Sequence, residues 1–370
     1  MVIGVDARPL SYRLTGIGYY LMHLLEMLQK VDRANTYVLI SNKSIPFELN
    51  NRNWQKVEGH MGVRLLSTLW MQTFGPYFAG RHQLDLFWGP RHHLPVFLPE
   101  KIKTVVTIHD LVHKRCPETM ALENFLVERL LMKRALEKAD AIIAVSRSTA
   151  ADIRYFYRLP GRKISTIYPG VPTFALQEQS CGAKQTDRSL PQKYFLFVGT
   201  LEPRKNLLTV LKAFEKLEPE KNDINLVIAG NIGWHAKDWL SGLMQSSAKE
   251  RVFLTGYVSR QVLKHLYENA FCLVFPSIYE GFGMPVLEAM AAKVPVITAN
   301  FSAMAEVAGD AALLVNPESA PDIAGAMQKL LRQQDLRNDL LRNAESRLIK
   351  FSWETAAKKT VNLFEQVCRN

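Results

Sequence analysis

Short apolar runs alternate with amphipathic segments along most of the chain. The runs are rich in β-branched or aromatic residues, which is typical of strands, and the segments between them repeat apolar residues every three or four positions, as helices do. This alternation predicts an α/β protein with parallel sheets and crossover helices. The predicted strands of the first half are Val2–Val5, Tyr37–Ile40, Leu84–Trp88, Thr104–Ile108 and Ala141–Val145, and its clearest helices are Tyr19–Gln29 and Leu122–Lys138.

A polar stretch interrupts this pattern between Pro172 and Pro191, and its low periodicity predicts a linker. A second α/β series follows, and a chain of 370 residues exceeds what one core usually organises. We therefore predict two Rossmann-like domains, with ligands bound in a cleft at the carboxyl ends of the strands. The predicted extents are 1–172 for the first domain, 173–192 for the linker, 193–350 for the second domain and 351–370 for a last helix. The second series comprises strands Tyr194–Val198, Asn225–Ala229, Val252–Leu254, Phe271–Phe275, Pro295–Thr298 and Ala312–Val315, and helices Leu207–Leu217, Arg260–Glu268, Pro285–Ala292 and Trp353–Val367.

Composition is that of an ordinary soluble protein, with 48% hydrophobic and 22% charged residues. The four cysteines lie far apart without a Cys-x-x-Cys pair, which argues against a zinc site or disulfides and favours a reduced, cytoplasmic compartment. The first predicted strand begins at residue 2, and no uncharged apolar run reaches 18 residues. We therefore expect neither a signal peptide nor a transmembrane helix.

The formal net charge of +11 indicates an anionic partner. Nucleic acid is the weakest candidate, because no basic run is interleaved with aromatic residues, and an anionic membrane surface or phosphorylated substrates are the stronger ones. The apolar, aromatic stretch Arg64–Arg81 lies in the first domain and is bounded by arginines. It is either a monotopic patch that holds the protein at the inner face of a membrane, or a buried helix of the domain.

The candidate chemistry is densest around Glu280 and Glu288. A strand ends, a glycine loop turns, and Pro285 stands where a helix would begin, so backbone N–H groups and the helix dipole would bind a diphosphate. Glu288 would accept hydrogen bonds from a ribose diol, and Glu280 would hold sugar hydroxyls. The alternative is that Glu288, in the first turn, only favours the helix N-terminus and Glu280 is a solvated charge. The candidate donor-binding residues here are Glu280, Gly281, Phe282, Gly283, Met284, Pro285 and Glu288.

A second motif begins at Gly199, directly after a predicted strand. Its cations Arg204 and Lys205 would neutralise a diphosphate and stabilise the charge that develops on a leaving nucleotide diphosphate. The alternative is a basic turn capped by Asn206. Because the chain contains no Asp-x-Asp pair, these cations would replace a divalent metal, and we predict neither a metal nor another cofactor.

Two segments of the first domain are further candidates. Gly16 and Gly18 precede the first helix, where backbone can approach a ligand, although Leu21 stands at the third glycine of a dinucleotide fingerprint and a simple turn is the alternative. His109 ends a strand and would bond a hydroxyl of the donor sugar. His113 follows at a spacing that can bind a metal on a helix, but no third ligand is evident.

Together these residues resemble glycosyltransferase family 4. The two glutamates separated by seven residues that mark the family are present as Glu280 and Glu288, and the runs GTLEPRKNL, TGIG and IHDL are similar to its phosphate-binding and acceptor-side motifs. The resemblance extends from Gly4 to Trp353. It departs from the family at Ala292-Lys293 and at Ser302–Glu306, where we expect effects on packing rather than on the phosphate site.

The resemblance implies a GT-B fold, in which two Rossmann-like domains face each other across a cleft and the C-terminal helix crosses back to the first domain. It also implies a retaining, metal-independent transferase whose nucleotide diphosphate sugar is held mainly by the second domain. The diphosphate contacts would be Gly16, Arg204 and Lys205, the ribose contact Glu288, and the sugar contacts Glu280 and His109. Of these, the candidate catalytic residues are Glu280, His109, Arg204 and Lys205.

Within the family, the chain is similar to bacterial mannosyltransferases of O-antigen or other surface polysaccharide synthesis. That likeness implies GDP-mannose, or another nucleotide diphosphate sugar, as the donor and a lipid-linked or polysaccharide glycan as the acceptor. Retention through a covalent intermediate would need a carboxylate nucleophile, and the family offers no settled one. Front-face displacement, in which the leaving phosphate accepts the proton, is the usual proposal, so we assign no general base.

Three other classes of protein stay in view. A sugar nucleotide 2-epimerase shares the two-domain architecture and would convert its donor without an acceptor. A nicotinamide-dependent oxidoreductase would need the dinucleotide fingerprint that is missing here. A non-catalytic glycan-binding protein would have lost its phosphate ligands, whereas all of them are present in this sequence.

Overall fold

The computed structural model describes residues 1–60, 66–172, 190–217, 223–233 and 237–369. They form two compact units: the first comprises Met1–Lys114, Leu122–Gly170 and Phe351–Asn370, and the second comprises Arg115–Ala121 and Val171–Lys350. The segment Arg115–Ala121 thus differs from the predicted first domain, because periodicity reports local structure and not the core against which a loop packs. The linker predicted at 173–192 lies largely outside the described residues.

Strands and helices alternate through both units. The strands of the first unit are β1 (Val2–Asp6), β2 (Thr36–Ser41), β3 (Trp54–Glu58), β4 (Leu86–Gly89), β5 (Lys103–Ile108), β6 (Ala141–Ala144) and β7 (Ile164–Thr166). Those of the second unit are β8 (Tyr194–Val198), β9 (Asn225–Ala229), β10 (Val252–Gly256), β11 (Cys272–Phe275), β12 (Val296–Ala299) and β13 (Leu313–Val315). The helices are α1 (Gly16–Val31), α2 (Ser67–Arg81), α3 (Val112–Arg115), α4 (Leu122–Lys138), α5 (Arg147–Tyr157), α6 (Leu207–Glu215), α7 (Lys237–Gln245), α8 (Arg260–Glu268), α9 (Met284–Ala291), α10 (Ser302–Ala308), α11 (Ala320–Arg332), α12 (Gln334–Leu348) and α13 (Trp353–Arg369).

The sheet of the first unit has the strand order β3-β2-β1-β4-β5-β6-β7, and its neighbouring strands pair in parallel. Ile3 of β1, for example, lies opposite Tyr37 of β2 and Leu86 of β4. The central strands are buried because helices cover both faces, so they consist of continuous apolar runs instead of alternating residues. The strand order reverses between β1 and β4, and such a reversal leaves a crevice at the carboxyl ends of the two strands.

The second unit repeats this architecture with six parallel strands in the order β10-β9-β8-β11-β12-β13. Each residue of β8 and of β11 is buried, and helices α6 and α11 pack on the same core. The order reverses between β8 and β11. The predicted α/β class with two parallel-sheet domains is therefore confirmed, and each sheet has its own switch point.

The last helix, α13, belongs to the first unit and packs on α1. Its indole Trp353 lies against the rings of Tyr20 and His23, with centroids 5.8 Å and 5.5 Å away. A Cβ on Gly170 would come within 2.3 Å of the Trp353 backbone nitrogen, so the chain can pass this point only as glycine. Helices from the beginning and the end of the chain therefore pack together in the first unit, although they lie far apart in sequence.

Candidate active site

Two loops of the second unit carry the predicted phosphate-binding residues, and both follow strands at the reversal of the strand order. The loop after β8 begins at Gly199, and the loop after β11 ends at Gly283. The backbone N–H of Ile278 in the second loop donates to Arg204 O in the first at 2.8 Å. The sheet topology therefore joins two motifs that lie about 75 residues apart along the chain.

Three side chains in these loops contact the Glu280 carboxylate, two through hydrogen bonds and one through an ion pair. Lys205 Nζ donates to its Oε1 at 2.5 Å, Arg204 Nη1 lies 2.9 Å from its Oε2, and Ser277 Oγ donates to its Oε1 at 2.8 Å. Burial raises the pKa of Glu280, but the charges of Arg204 and Lys205 outweigh burial and lower that pKa to about 2. Glu280 is thus an ionised, paired carboxylate and not a solvated loop charge.

The cations have further partners in the same unit. The guanidinium of Arg204 also pairs with the buried carboxylate of Glu202 and donates to Tyr279 O at 2.7 Å. Lys205 Nζ lies 5.0 Å from the centre of the Phe275 ring, a cation–π contact. Two carboxylates therefore hold two cations in a fixed, charge-balanced network. Sequence reasoning missed Glu202, although it stands inside the GTLEPRKNL run.

The alternative of a basic turn capped by Asn206 describes the local backbone, because Pro203–Lys205 form one 3-10 turn and the Asn206 N–H donates to Pro203 O at 2.9 Å. Asn206 occupies the position before α6 in the left-handed region, with φ +64°, and makes no side-chain cap of that helix. Its Nδ2 instead donates to Pro276 O at 3.0 Å and to Pro317 O at 2.7 Å. Asn206 therefore ties the cationic loop to the start of the glycine loop, because an amide can bridge two carbonyl oxygens that a backbone turn leaves unpaired.

The glycine loop leads directly into α9. Gly283 has φ +100°, a conformation that side chains rarely adopt, and a Cβ there would lie 2.0 Å from Met304 Cε. Pro285 occupies the first turn of α9, where its missing N–H interrupts no helical hydrogen bond. Gly281 and Phe282 are buried, whereas Met284 is partly exposed. The positive end of the helix dipole thus follows Glu280 by a few residues, the arrangement that binds phosphate groups.

Ser302 is a member of this site that sequence reasoning missed. Its hydroxyl donates to Glu280 O at 2.8 Å, and its own backbone is left-handed, with φ +61°. The expectation that the Ser302–Glu306 departure affects only packing is therefore wrong for Ser302. No local pattern marks this residue, because its partner lies 22 positions earlier in the chain.

Glu288 forms a separate cluster with two residues of α8. Its Oε1 accepts from Arg260 Nη1 at 2.9 Å, and its Oε2 accepts from the hydroxyl of Tyr267 at 2.9 Å. Only 7% of the residue is exposed. The sequence predicted Glu288 in the first turn of α9. It lies in the second turn, because the helix begins at Met284. Both carboxylate oxygens are held in place by side chains of the same unit.

In the first unit, Gly16 and Gly18 form the first turn of α1, which follows β1. A Cβ on Gly18 would lie 3.0 Å from Pro9 O and 2.9 Å from Leu14 Cδ2, so close packing accounts for that glycine. A Cβ on Gly16 would meet no described atom within 4 Å. Packing among the described residues therefore does not require glycine at position 16.

His109 follows β5 and is partly exposed. Its Nε2 lies 2.8 Å from Pro90 O, and since a carbonyl only accepts, Nε2 carries the proton and Nδ1 is the acceptor. Burial, together with the neighbouring His92, lowers the pKa of His109 to about 3. The edge of the Tyr20 ring packs against it, with centroids 4.7 Å apart. His109 is therefore a neutral, oriented imidazole that can accept a hydrogen bond from a hydroxyl.

His113 has a structural partner and does not join His109 in a metal site within the described residues. Its Nε2 lies 2.7 Å from the hydroxyl of Tyr157, and burial lowers its pKa to about 4. Across the part of the chain that the structure describes, no three His, Cys, Asp or Glu side chains are grouped to hold a metal ion.

Comparisons with known proteins agree with this architecture. The family descriptions "Glycosyltransferase Family 4" and "Glycosyl transferases group 1" match residues 14–173 and 183–347. The O-antigen chain mannosyltransferase B of Escherichia coli is 29% identical, with 99% of this chain and 100% of that protein covered. An uncharacterised glycosyltransferase of Methanocaldococcus jannaschii is 30% identical over 70% of this chain and 68% of that protein. The sucrose-phosphate synthase of Thermosynechococcus elongatus, 19% identical, superposes with a TM-score of 0.77 over 99% of each chain, which shows the fold.

Two parallel-sheet Rossmann-like domains, with a cationic loop and a glycine loop at one switch point, define a glycosyltransferase of GT-B fold. The two family matches together span most of the sequence, and a relative at 30% identity carries the same activity in its name. The chain belongs to glycosyltransferase family 4. It therefore acts on a nucleotide-sugar donor and a glycan acceptor, as the resemblance implied.

Proposed function

We propose that the chain is a retaining mannosyltransferase that moves mannose from GDP-mannose onto a surface glycan under synthesis. The contact of Arg204, Lys205 and Glu280 at the switch point carries the proposal. The end-to-end similarity to an enzyme named O-antigen chain mannosyltransferase B supports the choice of sugar and acceptor. In this proposal the two cations replace a metal ion, and no cofactor takes part.

The donor diphosphate binds beside Arg204 and Lys205, at the loop that leads into α9. Arg204 offers a planar fork of donors and Lys205 a compact point charge, and Glu202 and Glu280 already fix their positions. As the glycosidic bond breaks, negative charge grows on the leaving diphosphate. Cations that are oriented beforehand stabilise that charge without reorganisation, and such preorganised stabilisation is usually the largest single contribution to catalysis.

The remaining contacts fix the sugar and the nucleoside. Glu280 stays ionised and accepts hydrogen bonds from sugar hydroxyls. Glu288 accepts from the ribose diol through lone pairs that Arg260 and Tyr267 leave available, since each carboxylate oxygen has two. His109 accepts a sugar hydroxyl through its unprotonated Nδ1.

Retention follows from displacement on one face of the sugar. The acceptor hydroxyl attacks the anomeric carbon from the side on which the diphosphate leaves, and its proton passes to the departing phosphate oxygen. No protein carboxylate has to become a nucleophile in this scheme. The ion pairs of Glu280 agree with it, because a carboxylate held by two cations is a poor nucleophile.

A screen of sugar nucleotides tests the donor. We expect GDP-mannose at about 100 times its dissociation constant to stabilise the protein by about 3 kcal/mol, measured as a rise in melting temperature, and UDP-glucose to do so less. Transfer to a mannose-terminated glycan then follows, with the anomeric configuration of the product read by NMR. An inverted product would contradict retention, preference for a UDP-sugar would contradict the donor, and donor conversion without acceptor would indicate an epimerase.

We also propose that the first unit meets an anionic membrane that carries the acceptor. Helices α2 and α4 share one core, and residues 94–98 bridge them, because Gln72 of α2 and Lys138 of α4 both donate to the backbone of that segment. Apolar and basic side chains are exposed along these elements, a combination typical of interfacial surfaces. The exposed apolar residues are Leu69, Phe74, Tyr77, Phe97, Leu126 and Leu130, and the exposed basic residues are Arg81, Arg129, Lys133 and Arg134.

The part of the stretch Arg64–Arg81 that the structure describes has both buried and exposed side chains. Trp70 and Met71 on the inner side of α2 are buried, whereas Leu69 and Tyr77 are exposed, and residues 64 and 65 lie outside the described part of the chain. Among the described residues, no helix combines the length and the apolarity needed to cross a bilayer.

Vesicle flotation tests the membrane proposal. We expect the protein to float with vesicles that contain phosphatidylglycerol at low salt, and the double variant Phe97→Ser, Leu130→Ser to lose this association. Ile349→Ser is the matched control, because Ile349 is 82% exposed but belongs to the second unit. Equal flotation of the wild type with anionic and neutral vesicles, or none, would contradict the proposal.

A further inference from the structure

A buried pair of side chains, His92 and Glu128, adjoins His109 in the first unit. His92 Nδ1 and Glu128 Oε2 are 3.1 Å apart, with 7% and 19% of the two side chains exposed. The same carboxylate oxygen lies 3.3 Å from His93 Nε2. Because an ionised carboxylate only accepts, His92 Nδ1 carries a proton and donates a hydrogen bond to Glu128.

The other nitrogen of the His92 ring contacts the backbone of His109. The His109 N–H donates to His92 Nε2 at 3.0 Å, so Nε2 is unprotonated and one neutral tautomer of His92 satisfies both bonds. On its other side, the His109 ring donates to Pro90 O at 2.8 Å, two positions before His92. The short segment 90–92 therefore holds His109 at both its backbone and its ring.

Two costly features meet at this segment. His92 has φ +56°, in the left-handed region that non-glycine residues rarely occupy. Glu128 is a carboxylate that is largely removed from water, which is costly unless hydrogen bonds such as the one from His92 offset the loss of hydration. An apolar side chain in place of Glu128 would avoid the cost of a buried charge, and backbone strain like that at His92 concentrates where geometry serves a function.

We propose that His92 and Glu128 are positioning residues for sugar transfer. They fix the backbone and the ring of His109 so that its Nδ1 meets a hydroxyl of the donor sugar, and neither touches the donor. The inference rests on the proposed function, in which His109 makes that contact. A displacement of the contact by about 1 Å costs on the order of 100-fold in rate, so small movements of segment 90–92 are sufficient to matter.

Two substitutions of His92 separate its hydrogen bonds. In His92→Gln, the amide oxygen reaches the position of Nε2 and keeps an acceptor for the His109 N–H, whereas His92→Asn reaches only the position of Nδ1 and loses it. We expect His92→Asn to lower kcat/KM for the donor about 10-fold or more and His92→Gln to stay within about 3-fold. We expect the opposite order for melting temperature, with His92→Asn above His92→Gln, because Asn tolerates a positive φ better than Gln.

A double-mutant cycle provides the decisive readout. In a His109→Ala background the effect of His92→Asn on kcat/KM should disappear, since a positioning residue acts only through the residue it positions. Glu128→Leu should resemble His92→Asn, while Glu137→Leu, an exposed site on the same helix, serves as the control with unchanged activity. Additive effects in the cycle, or activities that follow melting temperature, would overturn this inference but leave the proposed function standing. A wild type that transfers sugar from no nucleotide donor would overturn the proposed function and the inference with it.

Discussion

Glu280 is ionised and His109 is neutral at physiological pH, for different physical reasons. Two cations lower the pKa of Glu280 to about 2 against the effect of burial, whereas burial and the neighbouring His92 lower the pKa of His109 to about 3. A general acid or base works best with a pKa near the operating pH, and neither residue has one. Both are suited to binding and orientation, which agrees with a transfer in which the leaving phosphate takes the proton.

Replacement of Lys205 tests the electrostatic part of the proposal. We expect Lys205→Ala to lower kcat on the order of 100-fold, because one of the two cations that stabilise the departing diphosphate is lost. Lys212→Ala, at an exposed position on α6, is the matched control and should leave kcat unchanged. Single-turnover kinetics at saturating donor would make the comparison, and a kcat within about 3-fold of wild type for Lys205→Ala would contradict the assigned role.

The lowered pKa of His109 predicts a particular pH dependence of stability. Between its ordinary pKa near 6.5 and its folded pKa of about 3, the unfolded chain binds more protons at this residue than the folded chain does. The contribution of His109 to stability should therefore be fully present above pH about 6.5. It should fall on acidification by at most about 1.4 kcal/mol per pH unit.

Melting temperatures at pH 7 and pH 5 would measure this effect. We expect His109→Gln to lose less stability than wild type between the two values, and His265→Gln, on the surface of α8, to behave as wild type. An equal loss for wild type and His109→Gln would show that His109 titrates normally in the folded protein.

At the scale of elements, the sequence predicted the segments that are apolar, or regularly amphipathic, along their whole length. Strand β8, Tyr194–Val198, is buried at every position and was predicted with its observed bounds. Strand β3, Trp54–Glu58, was not predicted, because it lies at the edge of its sheet and only its first residue is buried. Helix α2 contains Pro76 and exposes apolar residues on its outer side. Apolar and polar residues therefore alternate only weakly with the helical period.

The same reasoning explains which site residues could be predicted. Arg204, Lys205 and Glu280 stand in runs of characteristic composition directly after strands, and strand ends at a switch point meet in space. Ser302 and His92 carry no such local signal. Their roles come from hydrogen bonds to residues 22 and 17 positions away, respectively, which only the fold creates.

The turn before α9 can be tested as an element. In Gly283→Ala the new Cβ requires φ +100° from a residue that rarely adopts it and displaces Met304, so we expect a loss of about 1–3 kcal/mol and weaker donor binding. Gly325→Ala is the matched control, since it lies within α11 with open space around it and should stabilise by about 0.5–1 kcal/mol. Denaturant unfolding and donor titration would measure both, and unaltered donor affinity in Gly283→Ala would contradict the role of this loop.

At the scale of the whole molecule, the first unit contains both ends of the chain. Residues 351–369 return to it after the entire second unit has been completed. Trp353 of α13 contacts Tyr20 of α1, and Tyr20 in turn packs its edge against His109. The C-terminal helix therefore supports, through one aromatic ring, the residue that we propose to contact the donor sugar.

This chain of contacts predicts that a change in the last helix acts on the first unit and on catalysis together. Trp353→Ala should cost about 3–5 kcal/mol in the first unit, because a buried indole is replaced by a cavity beside Tyr20. Hydrogen exchange should then accelerate in peptides from β1 but not in those from β8, and kcat/KM should fall as Tyr20 loses its support. Ile349→Ala, four residues earlier and 82% exposed, should change the stability of the first unit by no more than about 0.5 kcal/mol and leave kcat/KM unaltered. Equal acceleration of exchange in β1 and β8 would show that the two units open together, and that α13 serves the stability of both.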